Sequence, residues 1–583
     1  MQTDRTAKKR IIRKALVRLA LINIVVLAAT NVCGIIDNMV ITTALDTTAL
    51  AAVGYFAPMS PVIGLCYVLI TGTLILSGNL IGSGQQARVR SLFTGAFAVL
   101  TAVFLMFSVF LFFFRAPLAE ILGAKGDVRK LLEDYIAGYA ACPLFSALDA
   151  LLIALASYNN SIKRSYVSAA VMVLTNIIFD LLLVGPLGIL GIGFASALSS
   201  LISLLILLPS YMNRKATLHF VGKFFDPGLI AAAVMRGLPA LLFTAGMLVK
   251  NSLLNYALSE NIGYEGIAVA NVLGTMCSIL GIVSGGCVNA YLVLASQYYG
   301  EEDREGFLDV FQAAFRIGLS CMVILLAIVI IGSRHLAAFF FHSGRNIREI
   351  GQQMFVLGFI FFPVNFAINL LMGASKAQSR MKLVNILSFF EVAMVGVLAY
   401  LTVPYAGTNG AWLANTWGDL LTLAVILISV LVMKRKLRPT QADLLKLPDD
   451  FGAGPGDYVE YTVRESSQVS AISQSVIDFC RARGAGKREA FLAGLCVEEM
   501  TGNLLEHGIS HMRHNDIDVR VVYKDELTIS IMDTYGAFDP RDHMALFNPD
   551  TPDKNIGLRI VAKSASYIDY YNNAGINSLI MKI

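Results

Sequence analysis

Twelve stretches of the chain are apolar for long enough to cross about 30 Å of hydrocarbon at about 20 residues each. They fall near residues 19–43, 48–80, 91–114, 131–156, 165–185 and 190–211 and, after a polar interval from Asn213 to Arg236, near 238–258, 266–298, 308–332, 350–374, 383–403 and 410–433. This pattern predicts an all-α polytopic membrane protein of twelve transmembrane helices in two six-helix lobes. The opening MQTDRTAKKRIIRKALVR is basic, and the apolar run behind it is too long for a signal-peptide core, so a retained first helix is expected. Beyond residue 457 the period changes. Strands are predicted at 458–464, 517–523, 526–532, 566–571 and 577–583, and helices at 467–483, 487–508 and 556–565, the pattern of an α/β sandwich. The resulting boundaries are a basic cytosolic N-terminus (1–18), lobe 1 (19–212), an inter-lobe linker (213–236), lobe 2 (237–435), a linker rich in Pro, Gly and charge (436–456) and a C-terminal domain (457–583).

Composition sharpens the division. Residues 1–439 hold 32 Lys+Arg and 20 Asp+Glu, whereas residues 440–583 hold 14 and 21, so a basic apolar part is joined to an acidic part of ordinary soluble composition. A nucleic-acid partner is not expected from this balance. Eight scattered Cys with no CxxC suggest neither a disulfide framework nor a zinc site. Alternate connections carry 23 Lys+Arg on the side of the N-terminus against 7 on the other, which predicts both termini in the cytosol; the bacterial plasma (inner) membrane is the expected location on the family resemblance given below.

The two lobes repeat at a shift of about 213–218 residues. Asp37-Asn38 with Ala44-Leu45 falls on Lys250-Asn251 with Ala257-Leu258; GQQARVRSLF from Gly84 falls on GEEDREGFLDVF from Gly300; Ser157, Pro186 and Gly193 fall on Ser375, Pro404 and Gly410. Six spans is an even number, so the repeats are parallel and related by an axis along the membrane normal, with a substrate cavity expected between them.

A carboxylate inside a membrane is a functional candidate because its ionised form costs about 2.5–3.5 kcal/mol at a helix centre. Asp37 lies on the first span with Asn23 and Thr30 on the same stripe; Asn176 and Asp180 are i,i+4 on the fifth; Ser196, Ser199, Ser200 and Ser203 make a hydroxyl stripe on the sixth. Such a cluster can hold a proton or ligate a hard cation such as Na⁺. A purely structural hydrogen-bonding role is the competing reading. In lobe 2, Lys250 replaces Asp37 and Glu391 lies on the helix equivalent to that of Asp180. Either the two pair, or Lys250 faces the cavity and meets an anionic substrate.

The first 435 residues resemble the multidrug and toxin extrusion (MATE) family. The Asp37-bearing helix running into LDTTALAAVGYFAP and the passage NIIFDLLLVGPLGILGIGFASAL from Asn176 carry the resemblance. It implies V-shaped lobes, export of drugs or metabolites, and coupling to H⁺ or Na⁺ at Asp37, Asn176 and Asp180. Some members have a carboxylate where this chain has Lys250, so coupling through lobe 2 does not carry over.

In the tail, AFLAGLCVEEMTGNLLEHG puts Glu499, Asn503 and His507 on one helix face; DTYGAFDP follows a strand at Asp533, and NIGLRIV places Gly557 at a helix start, where free backbone N–H groups attract phosphate. A carboxylate and an amide at that spacing suit proton abstraction and a Mg²⁺ shell filled mostly by phosphate and water. Two polar residues on a solvated face are the bland alternative. Together the three segments resemble the histidine-kinase-like (GHKL) ATP-binding fold of the anti-sigma-factor serine kinase type. The resemblance implies Glu499 as base, Asn503 as ligand of Mg²⁺ with ATP, Asp533 as the adenine contact, and His507, Gly536, Gly557 and Leu558 around the nucleotide. Where that group usually has Gly two positions after the Asp, this chain has Tyr535, with Gly536 one place later.

The leading expectation is a cation-coupled antiporter exporting small molecules, with an ATPase-like cytosolic domain that binds nucleotide and regulates. No GxxxxGK[ST] is present to power transport by ATP. Two other readings are a membrane-tethered serine kinase acting on an anti-sigma-antagonist-like protein, and a lipid-linked oligosaccharide flippase.

Overall fold

The computed structural model describes residues 4–583 apart from 46, 215, 223–225, 342–344, 435–438, 455, 508–516, 525, 536–559, 561–562 and 574; the side chains of residues 30, 35, 42, 47, 57, 264, 265, 268, 345, 346, 507 and 573 also lie outside the described set. The apolar runs fold as helices. In the first half these are α1 (Thr6–Ala44), α2 (Thr47–Phe56), α3 (Ser60–Ile63), α4 (Cys66–Gly82), α5 (Gln86–Phe113), α6 (Arg115–Ile121), α7 (Gly126–Tyr139), α8 (Cys142–Leu155), α9 (Ile162–Leu187) and α10 (Ile189–Met212). The second half has α11 (Pro227–Asn261), α12 (Tyr264–Gly300), α13 (Arg304–Phe340), α14 (Arg345–Leu357), α15 (Phe362–Ala377) and α16 (Met381–Lys434). Among the described residues nine helices are long and apolar enough to cross a membrane, or eleven if the bent pairs α7–α8 (42°) and Ile347–Leu357 with α15 (44°) each count as one span.

The repeat is visible in the backbone. Helix α9 ends at Gly188 (φ 58°, ψ −137°) before α10 begins, and α16 is broken at Gly407 with nearly the same angles (φ 57°, ψ −142°). Both lie just past the matched prolines Pro186 and Pro404. A side chain resists positive φ with such a ψ, so glycine sets the same corner twice.

Helix α1 starts at Thr6, ahead of the predicted 19, because one face of its basic opening segment is buried. Lys8 is 1% exposed and lies against Asp303 and Glu460. The linker is tied down as well: α17 (Gln441–Leu444) is capped by Thr440, Leu445 and Leu447 are buried, and Gln378 Nε2 donates to the Leu445 carbonyl at 2.7 Å.

The C-terminal unit has strands β1 (Tyr458–Val463), β2 (Ile517–Tyr523), β3 (Leu527–Asp533), β4 (Tyr567–Asn573) and β5 (Ile576–Lys582), with α18 (Ser466–Ala482) and α19 (Lys487–His507). The sheet is antiparallel in the order β1-β2-β3-β5-β4. The expected helix at 556–565 falls largely outside the described residues. Strand alternation sends Ile517, Val519, Ile529, Ile531 and Met581 into one core with Val476, Ala493 and Val497 of the helices. The other face, with Glu460, Asp518 and Arg520, is also buried, because it lies on the end of the helical bundle.

That contact touches both halves. Tyr567 Oη donates to the Gly84 carbonyl at 2.6 Å and Gln86 donates to Asp569, in the loop before α5. In the repeat-related loop before α13, Tyr571 donates to Glu301 and Arg520 lies 3.5 Å from Asp303. At this end α4 and α12 are zipped together: a Cβ on Gly82 would strike the Gln297 carbonyl, and one on Gly300 that of Asn79.

Candidate functional site

In lobe 1, α1, α9 and α10 meet around a cavity of about 550 Å³ lined by Asp37, Asn176, Ser196, Ser199 and Ser200. Ser196 Oγ donates to Asp37 Oδ2 at 3.0 Å. Asn176 (1% exposed) and Asp180 (0%) stand beside Asp37 as its polar neighbours, and neither side chain meets a donor or acceptor outside this trio. Asp37 Oδ1 is likewise buried with no donor outside the trio. Burying this many oxygens with so few donors is costly, so the cluster has hydrogen-bonding capacity to spare. The predicted trio is brought together, with Ser196 as its direct neighbour. Asn23 also lines this cavity, although its amide nitrogen bonds the Leu19 carbonyl at 2.8 Å.

A further carboxylate in the same cavity was not singled out from the sequence. Asp149 on α8 is 5% exposed and accepts from Ser203 Oγ at 2.9 Å. Its signal was a lone acid in CPLFSALDALLIAL, the same signal that marks Asp419 in WGDLLTLAVILISV. Among the described residues no group of three or more His, Cys, Asp or Glu is arranged to hold a metal ion.

Lobe 2 has a larger cavity, about 920 Å³, lined by Lys250, Lys376, Glu391, Asp419, Asn365 and Asn415 among others. Of the two arrangements considered, Lys250 paired with Glu391 or facing the cavity, Lys250 lines the cavity and makes no ion pair with Glu391 within 4.0 Å. Lys250 Nζ donates to Asn415 Oδ1 at 3.0 Å, and Glu391 Oε1 accepts from Asn365 at 2.9 Å, because each charge has an amide nearer than the other charge.

In the C-terminal unit, Asn503 of α19 and Asp533 of β3 face one small cavity of about 20 Å³ with Tyr570 and Asn577. Asp533 accepts from Asn577 Nδ2 at 2.7 Å and from the Tyr535 amide at 2.8 Å. Burial pushes its carboxyl up to about 6 against these two bonds. Asn503 Nδ2 donates to the Glu499 carbonyl at 2.7 Å, which leaves its oxygen as the group able to ligate a cation. Glu499 lies one helical turn away, its carboxyl raised by burial and by Glu498. Gly536, Gly557, Leu558 and the His507 side chain lie outside the described residues.

Residues 23–182 and 239–401 match the family model MatE. Solved structures agree in fold. A structure described as MATE in complex with MaL6 superposes with a TM-score of 0.67 at 18% identity, covering 73% of this chain and 98% of that one. A MOP superfamily transporter from Pyrococcus furiosus, described as having a binding pocket of reverse polarity, gives 0.65 at 19% identity, covering 73% and 97%. The Vibrio cholerae MATE transporter VcmN in its bent form gives 0.67 at 15%, covering 72% and 97%. No curated protein matches the chain.

Proposed function

The chain belongs to the MatE family of membrane transporters, and on that premise we propose that it is a secondary antiporter that exports drugs or metabolites from the cytosol in exchange for H⁺ or Na⁺. Asp37, Asn176 and Asp180 are the coupling residues of this reading. The observation that carries it is the cluster of buried oxygens on these three side chains, short of donors outside the cluster, with Asp37 and Asn176 on the wall of one cavity. A proton or a small cation would satisfy them, and its departure would leave them in want of another. The zipped α4–α12 end fits a state closed towards the cytosol. Twelve crossings follow if α16, whose 54 residues would run about 80 Å as one helix, turns back at Gly407. Imposed pH or Na⁺ gradients on proteoliposomes test this: one of them should drive uptake of a fluorescent drug against its own gradient, and ATP alone should not.

The C-terminal unit is read as a regulatory domain of the histidine-kinase-like type, with Asn503 holding Mg²⁺ and Asp533 meeting adenine when ATP is bound. Its position on both repeat-related loops supports a brake. Alternating access moves the lobes against each other at this end, and a sheet fixed to both opposes that motion.

A further inference from the structure

The coupling reading uses only lobe 1, and the larger cavity in lobe 2 is built from different chemistry. Lys250 of α11, Lys376 of α15, and Glu391 and Asp419 of α16 all line it. Opposite charges enclosed in a medium of low dielectric attract strongly and ordinarily close into ion pairs. Here none of the four is paired with another within 4.0 Å. Amides hold them apart: Asn415 takes Lys250 at 3.0 Å, Asn365 donates to Glu391 at 2.9 Å and approaches Asp419 at 3.5 Å, and Asn369 approaches Glu391 at 3.4 Å. Glu391 Oε2 and Asp419 Oδ2 belong to side chains only 2% exposed and meet no donor. No acceptor is recorded for the Lys376 ammonium among the described residues. Two cations and two acids therefore face one space with bonding capacity left over on both.

We propose that this cavity binds a zwitterionic organic molecule, its ammonium against Glu391 and Asp419 and its acidic group against Lys250 and Lys376. A simple cation would leave the two lysines uncompensated and be repelled by them; a simple anion would meet the same difficulty at the acids. A ligand with both groups answers each and adds no net charge to the membrane interior. About 920 Å³ lies at the upper end of the volumes that hold drug-sized ligands, so a dipeptide-sized molecule fits with room for water. Position by position, Lys250 stands where lobe 1 has Asp37, which divides the labour: lobe 1 exchanges the cation and lobe 2 selects the cargo. The proposal thus rests on the exporter reading for its purpose but not for its test.

The chain has two tryptophans, Trp412 and Trp417, which lie on α16 either side of Asn415, itself a residue of the cavity wall. Tryptophan fluorescence of the full-length protein in detergent can therefore be titrated with alanyl-phenylalanine, with its methyl ester (cation only) and with its N-acetyl form (anion only). The zwitterion should bind at least about tenfold more tightly than either blocked form. Lys250→Met and Lys376→Met should each abolish the advantage over the ester, and Glu391→Gln the advantage over the N-acetyl form. Equal binding of all three probes by the wild type, loss of all three alike in every variant, or no saturable change with any probe would overturn the proposal. No gradient is involved, so this outcome is independent of whether Asp37 and Asp180 carry the coupling ion.

Discussion

At the scale of single residues, the unpartnered atom is the informative one. Asp149 has its hydroxyl donor, whereas Asp180 has none, although both are lone acids in apolar runs. Asp149→Asn keeps a hydrogen-bond acceptor for Ser203, so it should leave the melting temperature in detergent within a few degrees, while Asp149→Leu orphans Ser203 and should cost about 1–3 kcal/mol. In the C-terminal unit, Asp533 titrates near 6 because burial disfavours its charge. The protonated carboxyl accepts less well from an adenine amino group, so ADP affinity should fall about tenfold from pH 7.5 to pH 5 and stay flatter in Asp533→Asn. The sign for stability follows from the same shift: a carboxyl raised in the folded state favours folding when protonated, and that contribution declines as pH rises from about 4 to about 6.

At the scale of elements, the glycine corners decide how many times the chain turns. Replacing Gly407 by Ala forces a side chain into a backbone region costing about 1–3 kcal/mol, and Gly188→Ala should do the same at the repeated position. Nothing lies within 4 Å of a Cβ at either site, so the loss would come from the backbone alone and should be nearly equal in the two variants. Thermal unfolding checks it; unequal losses would separate the two corners. Much at this scale was legible in advance. Apolar run lengths gave the helices, and strand alternation in IDVRVVY and LTISIMD placed β2 and β3 within a residue. The start of α1 was not legible, because KKR reads as a solvated basic segment until its acidic partners, 295 and 452 residues away, are known. The amides of lobe 2 were hidden for a related reason: Asn365, Asn369 and Asn415 are unremarkable in sequence and acquire meaning only as the spacers between Lys250 and the two acids. Asp419 was available from its setting and was passed over in favour of Glu391.

At the scale of the whole molecule, the second face of the sheet joins the two halves. Burial pushes the Asp303 carboxyl up, but Arg520 and Lys8 outweigh it and hold it well below the usual carboxylate range. Asp518 beside them is instead pushed up by burial. Removing one cation from such a network strands buried acids and costs about 3–5 kcal/mol, so Lys8→Met should loosen the dock. Hydrogen exchange should then rise along β1 and β2, and gradient-driven export should quicken if the sheet acts as a brake; unchanged exchange would mean that the sheet is held elsewhere. Arg520→Met should act in the same direction through Asp303 and Glu460.

If a mobile cation visits Asp37 and Asp180, removing either charge should uncouple transport. Reconstituted wild type, Asp37→Asn and Asp180→Asn should be compared for substrate flux under an imposed pH or Na⁺ gradient and for exchange in its absence. Each variant should lose the gradient-driven component by at least about tenfold while still binding substrate. Gradient-driven flux at the wild-type rate in both variants would contradict it.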